Sequence, residues 1–145
     1  LGQIHLHDGR LAEAAAAFEQ AAQSSDTWMP RGMAAHAHAL AGDERRARQI
    51  LTAVPVADGP PVPPYILAVV HVALGEQGAA LAELERGFAE RDVRMVFIGV
   101  DPVWRPLRHE PGFVELLGRM KLGSDEGVGA ARANPRDGRL AFTDR

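Results

Sequence analysis

The sequence predicts an all-α fold, an array of antiparallel helical hairpins closed by a C-terminal capping helix. One observation behind this is a 33-residue interval at which the same residue types return along the 145-residue chain. A second is that apolar residues near each repeated glycine keep the i, i+3, i+4 spacing of a helix face. Such a period is typical of stacked helical pairs that bury their apolar sides against their neighbours. The repeated positions are Gly9, Gly42 and Gly75; Ala14, Ala47 and Ala80; His5, His38 and His71; and Phe18, Leu51 and Leu84.

The second copy of the repeat carries the most complete helix signals. Thr27 is placed to cap a helix with Pro30 in its first turn, where the missing N–H does no harm. Gly42 is predicted to end that helix, because glycine adopts the left-handed conformation without strain. Asp43 then caps the partner helix. The same pattern predicts helices near 11–23 in the first copy and near 64–74 and 77–90 in the third.

The period divides the chain into repeats and two further segments. A proline-rich stretch, 55–64, is predicted to be an extended connection, since proline is excluded from helix interiors. Beyond Asp92 the period fails, and an open array must cover its last apolar face. We therefore predict that 93–122 is a terminal cap. In it, one apolar stripe is formed by Phe113, Leu116, Leu117 and Met120. A flexible tail is expected at 123–145, which has few large apolar side chains. The repeats are predicted at about 1–26, 27–59 and 60–92, and because the chain opens on Leu1 we expect more chain before it.

Composition excludes several classes of function. A net charge of −3 argues against a nucleic-acid-binding protein, which would carry a basic stripe. The longest apolar stretch is half the length of a membrane span, so no membrane partner is expected. The absence of cysteine removes disulfides and thiolate metal sites and fits a reducing compartment. A cytoplasmic location is therefore expected.

The six histidines are the only residues that suggest a site of chemistry. His36 and His38 are two residues apart, which on a helix directs the rings to opposite sides, so they do not form a chelating pair. Packed, hydrogen-bonded histidines are the favoured interpretation. A metal-binding or pH-sensing role is the alternative for His7 and His36, which lie on adjacent helices of the predicted array. We expect no catalytic residues, no metal and no cofactor, and hence no enzyme.

The residues of the first copy resemble a tetratricopeptide repeat. They read Leu1-Gly2-x-x-His5-x-x-x-Gly9-x-x-x-x-Ala14-x-x-x-Phe18-x-x-Ala21, with His5 where tyrosine is common in that family. The second copy keeps Gly42, Ala47 and Leu51, and the third keeps Leu67-Ala68, Gly75, Ala80 and Leu84. The resemblance covers about 1–122 and implies a right-handed superhelix, an α-solenoid.

The resemblance also implies a peptide-binding groove. In that family the first helix of each pair lines a concave surface. The matching residues are mostly apolar, which favours a helix or an extended apolar peptide as the ligand, supplied by another protein or by the upstream part of the same chain. Packing against further repeats is the alternative use of these residues. The predicted groove consists of Gln3, Leu6, His7, Gly32, His36, Ala39, Leu40, Tyr65, Val69 and Val72, with Ala73 beside them.

The sequence therefore predicts a protein–protein interaction module, a scaffold or adaptor without catalytic activity of its own. The segment 101–117 resembles the closing element of bacterial repeat proteins that form the C-terminal part of kinases, nucleotide cyclases or transcriptional regulators. The alternative is accordingly a regulatory or sensor domain of such a larger enzyme or regulator.

Overall fold

The computed structural model describes residues 9–53 and 60–121. Within these ranges the chain forms α-helices and two 3₁₀ helices and contains no strand, which confirms the all-helical class. The first 3₁₀ helix spans Val93–Phe97 and the second spans Pro102–Leu107. The α-helices are α1 (Leu11–Gln23), α2 (Trp28–Leu40), α3 (Glu44–Thr52), α4 (Pro64–Ala73), α5 (Gln77–Ala89) and α6 (Pro111–Arg119).

Helices that follow each other in the chain pack in adjacent pairs. Helix α1 packs on α2, α2 on α3, and α4 on α5. Helix α2 also packs on α4, so the helices that begin the second and third repeats are neighbours. The predicted helices near 11–23, 64–74 and 77–90 agree with α1, α4 and α5 to within one residue.

The repeated glycines Gly42 and Gly75 form the same turn. Gly9, Gly42 and Gly75 have φ values of +75°, +83° and +75°, in the left-handed region that glycine enters without strain. After α2, the N–H of Asp43 donates to the carbonyl of His38 at 2.9 Å, and the N–H of Gly42 donates to Ala39 at 3.1 Å. The same two bonds follow α4, from Glu76 to His71 and from Gly75 to Val72. This is the Schellman arrangement, and it explains why glycine returns at this interval.

The capping predictions have different outcomes. Asp43 accepts a hydrogen bond from the N–H of Arg46 at 3.1 Å and caps α3 as predicted. Thr27 occupies the N-cap position of α2 with extended backbone, but its hydroxyl makes no capping bond. That hydroxyl lies 3.0 Å from Ser25 Oγ instead, because the bend before α2 brings the two side chains together.

Small residues bring the helices close together in the core. The three repeated alanines, Ala14, Ala47 and Ala80, are all completely buried. The large side chains gather at the C-terminal end instead, where Trp104, Leu107, Phe113 and Leu116 pack around Leu84 of α5. The interior is therefore lined with alanine between α1, α2 and α3, and with aromatic and leucine side chains around α4 and α5.

The segment after α5 packs back onto the third pair of helices. The first 3₁₀ helix and α6 both contact α5, whereas the second 3₁₀ helix contacts α4. The predicted apolar stripe is confirmed, since Phe113 and Leu116 are buried and Leu117 and Met120 pack against the same cluster. Asp101 begins the second 3₁₀ helix and accepts from the N–H of Val103 at 3.0 Å.

Some predictions fall on residues outside the described ranges. These are the first helix of the first repeat, which falls within 1–8, most of the proline-rich connection, 54–59, and the tail, 123–145. The part of the connection that is described, Pro60–Pro63, is not helical, and Pro64 opens α4. The boundaries drawn between repeats, cap and tail stay a prediction.

Gly32 tests how closely α2 and α4 approach. A Cβ built there would lie 2.6 Å from Cγ2 of Ile66, which is closer than real Cβ contacts allow. We expect Gly32→Ala to lower the free energy of unfolding by about 1–2 kcal/mol, because overpacking outweighs the gain in helix propensity of about 1 kcal/mol. Urea unfolding followed by circular dichroism measures the change.

Gly78 provides the matched control. It lies in α5, and a Cβ there would meet nothing within 4 Å. Gly78→Ala should therefore stabilise the protein by up to about 1 kcal/mol. Equal stabilisation by both substitutions would contradict the close approach of α2 and α4, and Ile66→Ala should relieve the cost of Gly32→Ala.

Candidate functional site

The predicted groove lies where α2 and α4 run side by side. Gly32, on α2, is buried and leaves room for Ile66 of α4, as its close contact shows. Gly32 therefore sets the distance between the two helices and offers no side chain to a ligand. Gln3, Leu6 and His7 lie outside the described residues.

Tyr65 sits at the start of α4 and is buried within the chain. Only 6% of it is exposed. Its ring meets the indole of Trp104 edge to face, with the centroids 5.2 Å apart and the planes at 79°. Its hydroxyl donates to Oδ2 of Asp101 at 3.2 Å and accepts from Nε1 of Trp104 at 3.3 Å. All the polar atoms that Tyr65 and Trp104 bring into the interior are thus paired.

The surroundings of Tyr65 keep its hydroxyl neutral. Burial raises the pKa of Tyr65 to about 12, and the negative charge of Asp101 acts in the same direction. The hydrogen bond from Trp104 opposes this shift, since it favours the phenolate. Tyr65 is accordingly a hydrogen-bond donor at all physiological pH values and is unsuited to act as a base.

His36 lies on α2 next to this cluster. Its Nδ1 atom is buried and has no hydrogen-bond partner among the described residues. Burial lowers the pKa of His36 to about 4, although the charge of Asp101 acts to raise it. At neutral pH the imidazole is therefore uncharged.

The remaining groove residues differ in exposure. Ala39 is buried against Ala47, Ile50 and Val70. Val69 and Val72 are half-buried and pack against the cluster that contains Tyr65 and Trp104. Leu40, at the end of α2, is 46% exposed. The structure therefore leaves Leu40 most accessible and buries the Tyr65 end of the same surface.

The residues that cover that end belong to the segment predicted to be the terminal cap. Asp101 and Trp104 of that segment both contact Tyr65 of the predicted groove. Arg94 reaches further and places its guanidinium 4.5 Å from the ring centre of Trp28 on α2. One signal was present in the sequence: Tyr65 is the only tyrosine and Trp104 one of only two tryptophans. Buried aromatic side chains of these types need polar partners.

His38 and His71, the two repeated histidines within the described ranges, are hydrogen-bonded, in agreement with the favoured interpretation. Nε2 of His38 lies 2.8 Å from Oε1 of Glu19 on α1, and Nδ1 of His71 lies 2.7 Å from Oε2 of Glu76. Arg46 also binds Glu19, with 2.9 Å between Nε and Oε1. The guanidinium of Arg46 lowers the pKa of Glu19 below its usual range and His38 adds to this, although burial acts the other way. Glu19, His38 and Arg46 thus join the first two repeats through side-chain hydrogen bonds.

The described residues offer little for catalysis or metal binding. Among 9–53 and 60–121, no three histidine, aspartate or glutamate side chains converge as metal ligands. The two histidines of the pairs above are bonded to carboxylates, Glu19 and Glu76, that also bind arginine. None of the described helices is long and apolar enough to cross a membrane.

Comparison with known proteins gives no relative. No protein-family model, no curated protein and no solved structure matches the chain. The structure and the residues themselves therefore carry the functional argument.

The single tyrosine allows the Tyr65 environment to be measured directly. Titration followed by phenolate absorbance should give a pKa of about 12, and Asp101→Asn should lower it, because that substitution removes the negative charge beside the hydroxyl. Since the folded pKa is raised, this contribution to stability is complete below about pH 10, the unfolded value, and is lost as pH rises through 12. A native-state pKa near 10 would contradict the burial of the Tyr65 hydroxyl.

Proposed function

We propose that the chain is a protein-interaction module built of tetratricopeptide-like repeats in a right-handed superhelix, with no catalytic activity of its own. The single observation that carries the proposal is the repeated turn. Two helical pairs, α2–α3 and α4–α5, end their first helices with the same pair of hydrogen bonds at glycines 33 residues apart. Neighbouring helical pairs that share this turn and have buried alanines at matching positions pack with the same geometry, as the repeats of a solenoid do.

The packing of α2 on α4 supports a surface made of first helices. In a solenoid such a surface is extended and suits a peptide or a helix better than a small molecule. Leu40 is its most accessible apolar side chain, and the half-buried Val72 lies on the neighbouring helix. We assign the apolar part of a bound protein segment to this end, because the other end is filled by Trp104.

The proposal includes no nucleic-acid or membrane partner, no cofactor, and a cytoplasmic location, on the composition described above. The bound segment comes from another protein or from the upstream part of the same chain. A regulatory domain attached to a kinase, cyclase or transcriptional regulator is the second candidate. The contact of Tyr65 with Asp101 favours this second candidate. A ligand that reached the Tyr65 end of the groove would have to displace the segment after α5, and the attached enzyme or regulator would respond to that displacement.

Selection of displayed peptides on the full 145-residue chain tests the proposal. Selected peptides should bind with micromolar dissociation constants in fluorescence anisotropy. Leu40→Asp should weaken those that occupy the groove at least tenfold, because it places a charge against their apolar face. Val114→Asp is the control, since Val114 is similarly exposed on α6. Failure to select any peptide, or binding that ignores Leu40→Asp, would contradict an interaction role for the groove.

A further inference from the structure

The largest group of exposed apolar side chains in the described residues lies outside the predicted groove. Val93, Val96, Phe97 and Val100 are 76%, 61%, 55% and 72% exposed, and all four fall within eight residues. We call them the cap patch. Single exposed apolar residues are ordinary, but a contiguous group of them marks an interaction site.

The fold does not require these four side chains. The same segment is anchored from its other side by Met95 and Ile98, which are 3% and 1% exposed. Both belong to the cluster around Trp104, so the segment already has its place in the core. Polar residues at the four exposed positions would leave that core intact.

A cavity adjoins the cap patch and is lined by apolar side chains. Phe88, Val93, Val96 and Met120 are among the residues that line it, and its volume is about 280 Å³. This space is open to solvent and large enough to receive an apolar side chain of a partner. The cap patch is thus an apolar surface with a recess rather than a flat face.

The charge at the recess is positive. Asp92 and Arg91 both line it, but Asp92 is bound by Arg94, with 2.9 Å between Oδ1 and Nη1. Arg91 has no ion-pair partner among the described residues, and its φ of +57° ends α5 in the left-handed conformation. The only uncompensated charge at the recess is therefore a cation.

Further cations lie on the same segment. The second 3₁₀ helix turns Trp104 and Leu107 inward, which leaves Arg105 and Arg108 exposed. Neither arginine forms an ion pair within the part of the chain that the structure describes. Asp101, the acid nearest to Arg105 in sequence, is committed to Tyr65 and to the N–H of Val103. Glu110 lies two residues after Arg108 and makes no side-chain capping bond, so Arg108 has a carboxylate close to it in sequence.

The size of the cap patch favours a single helix as the occupant. The five-residue 3₁₀ helix that carries Val93, Val96 and Phe97 is about 10 Å long at a rise of about 2 Å per residue, the length of about two turns of α-helix. A stable dimer contributes about 20–30 residues from each side, far more than the cap patch and its cations offer. Positive charge beside apolar side chains complements carboxylates beside apolar side chains.

We propose that the cap patch, with Arg91 at its recess, is a docking site for an acidic amphipathic helix of a partner protein. The helix inserts an apolar side chain between Val96 and Met120 and places a carboxylate near Arg91. The inference rests on the interaction role proposed above but uses a different surface, so either can fail without the other.

A designed library of 18-residue helical peptides tests the docking site. All members carry leucine at i, i+3, i+4 and i+7, and the other positions vary among Glu, Lys, Gln and Ala. Selection on the full chain should enrich glutamate-rich members with micromolar dissociation constants. Val96→Asp should weaken these at least tenfold, and Arg91→Glu about fivefold or more with a smaller salt dependence.

The controls separate this site from the groove. Leu40→Asp and Val114→Asp should leave binding of the acidic peptides unchanged, and circular dichroism should show all variants folded, since the substituted residues are exposed. Loss of binding with Leu40→Asp instead of Val96→Asp would move the peptide to the groove and overturn the docking site alone. Failure to enrich any peptide would overturn the docking site alone, because the groove is tested by its own selection of displayed peptides.

Other occupants give distinct results that would also overturn the proposal. Enrichment of lysine-rich or uncharged peptides would contradict the binding of a carboxylate by Arg91. Sedimentation with phosphatidylglycerol vesicles that Phe97→Asp abolishes would indicate an anionic lipid surface. A dimer in analytical ultracentrifugation that Val96→Asp dissociates would indicate a second copy of the chain.

Discussion

The hydrogen-bonded chain from Trp104 through Tyr65 to Asp101 is the contact on which the C-terminal half of the structure depends. Trp104 is completely buried, so its indole N–H must find an acceptor inside the protein, and the hydroxyl of Tyr65 provides it. That hydroxyl in turn needs an acceptor for its own proton, which is Asp101. Asp101 also caps the second 3₁₀ helix. Loss of any member would leave a buried polar group unpaired, at a cost of about 1–3 kcal/mol.

This contact determines which surfaces remain open. It holds the segment after α5 against α4 and so fills the Tyr65 end of the predicted groove, while Leu40 stays accessible at the end of α2. Because Met95 and Ile98 are drawn into the same core, the neighbouring side chains Val96 and Phe97 are turned outward. The packing that closes one candidate binding surface thus exposes the other.

The sequence predicted those parts of the fold that local chemistry determines. The helix ends at Gly42 and Gly75 were predictable because glycine adopts the left-handed conformation of such a turn without strain. The cap at Asp43 was predictable because its side chain bonds to an N–H only three residues away. The link from Tyr65 to Asp101 was not predictable. It joins residues 36 apart in a region where the 33-residue period has already failed, so no repeat pattern indicates the pairing. The groove residues were identified from their positions in the repeat, and those positions do not indicate that the cap covers Tyr65.

A double-mutant cycle between Tyr65→Phe and Asp101→Asn tests the central contact most directly. Free energies of unfolding would be measured by urea denaturation for the wild type, both single variants and the double variant. If the hydroxyl of Tyr65 and the carboxylate of Asp101 hold the cap on α4 together, the two effects are not additive, and the coupling is about 1 kcal/mol or more. Additivity to within about 0.3 kcal/mol would show that the two residues act independently, and the account of the cap would be wrong.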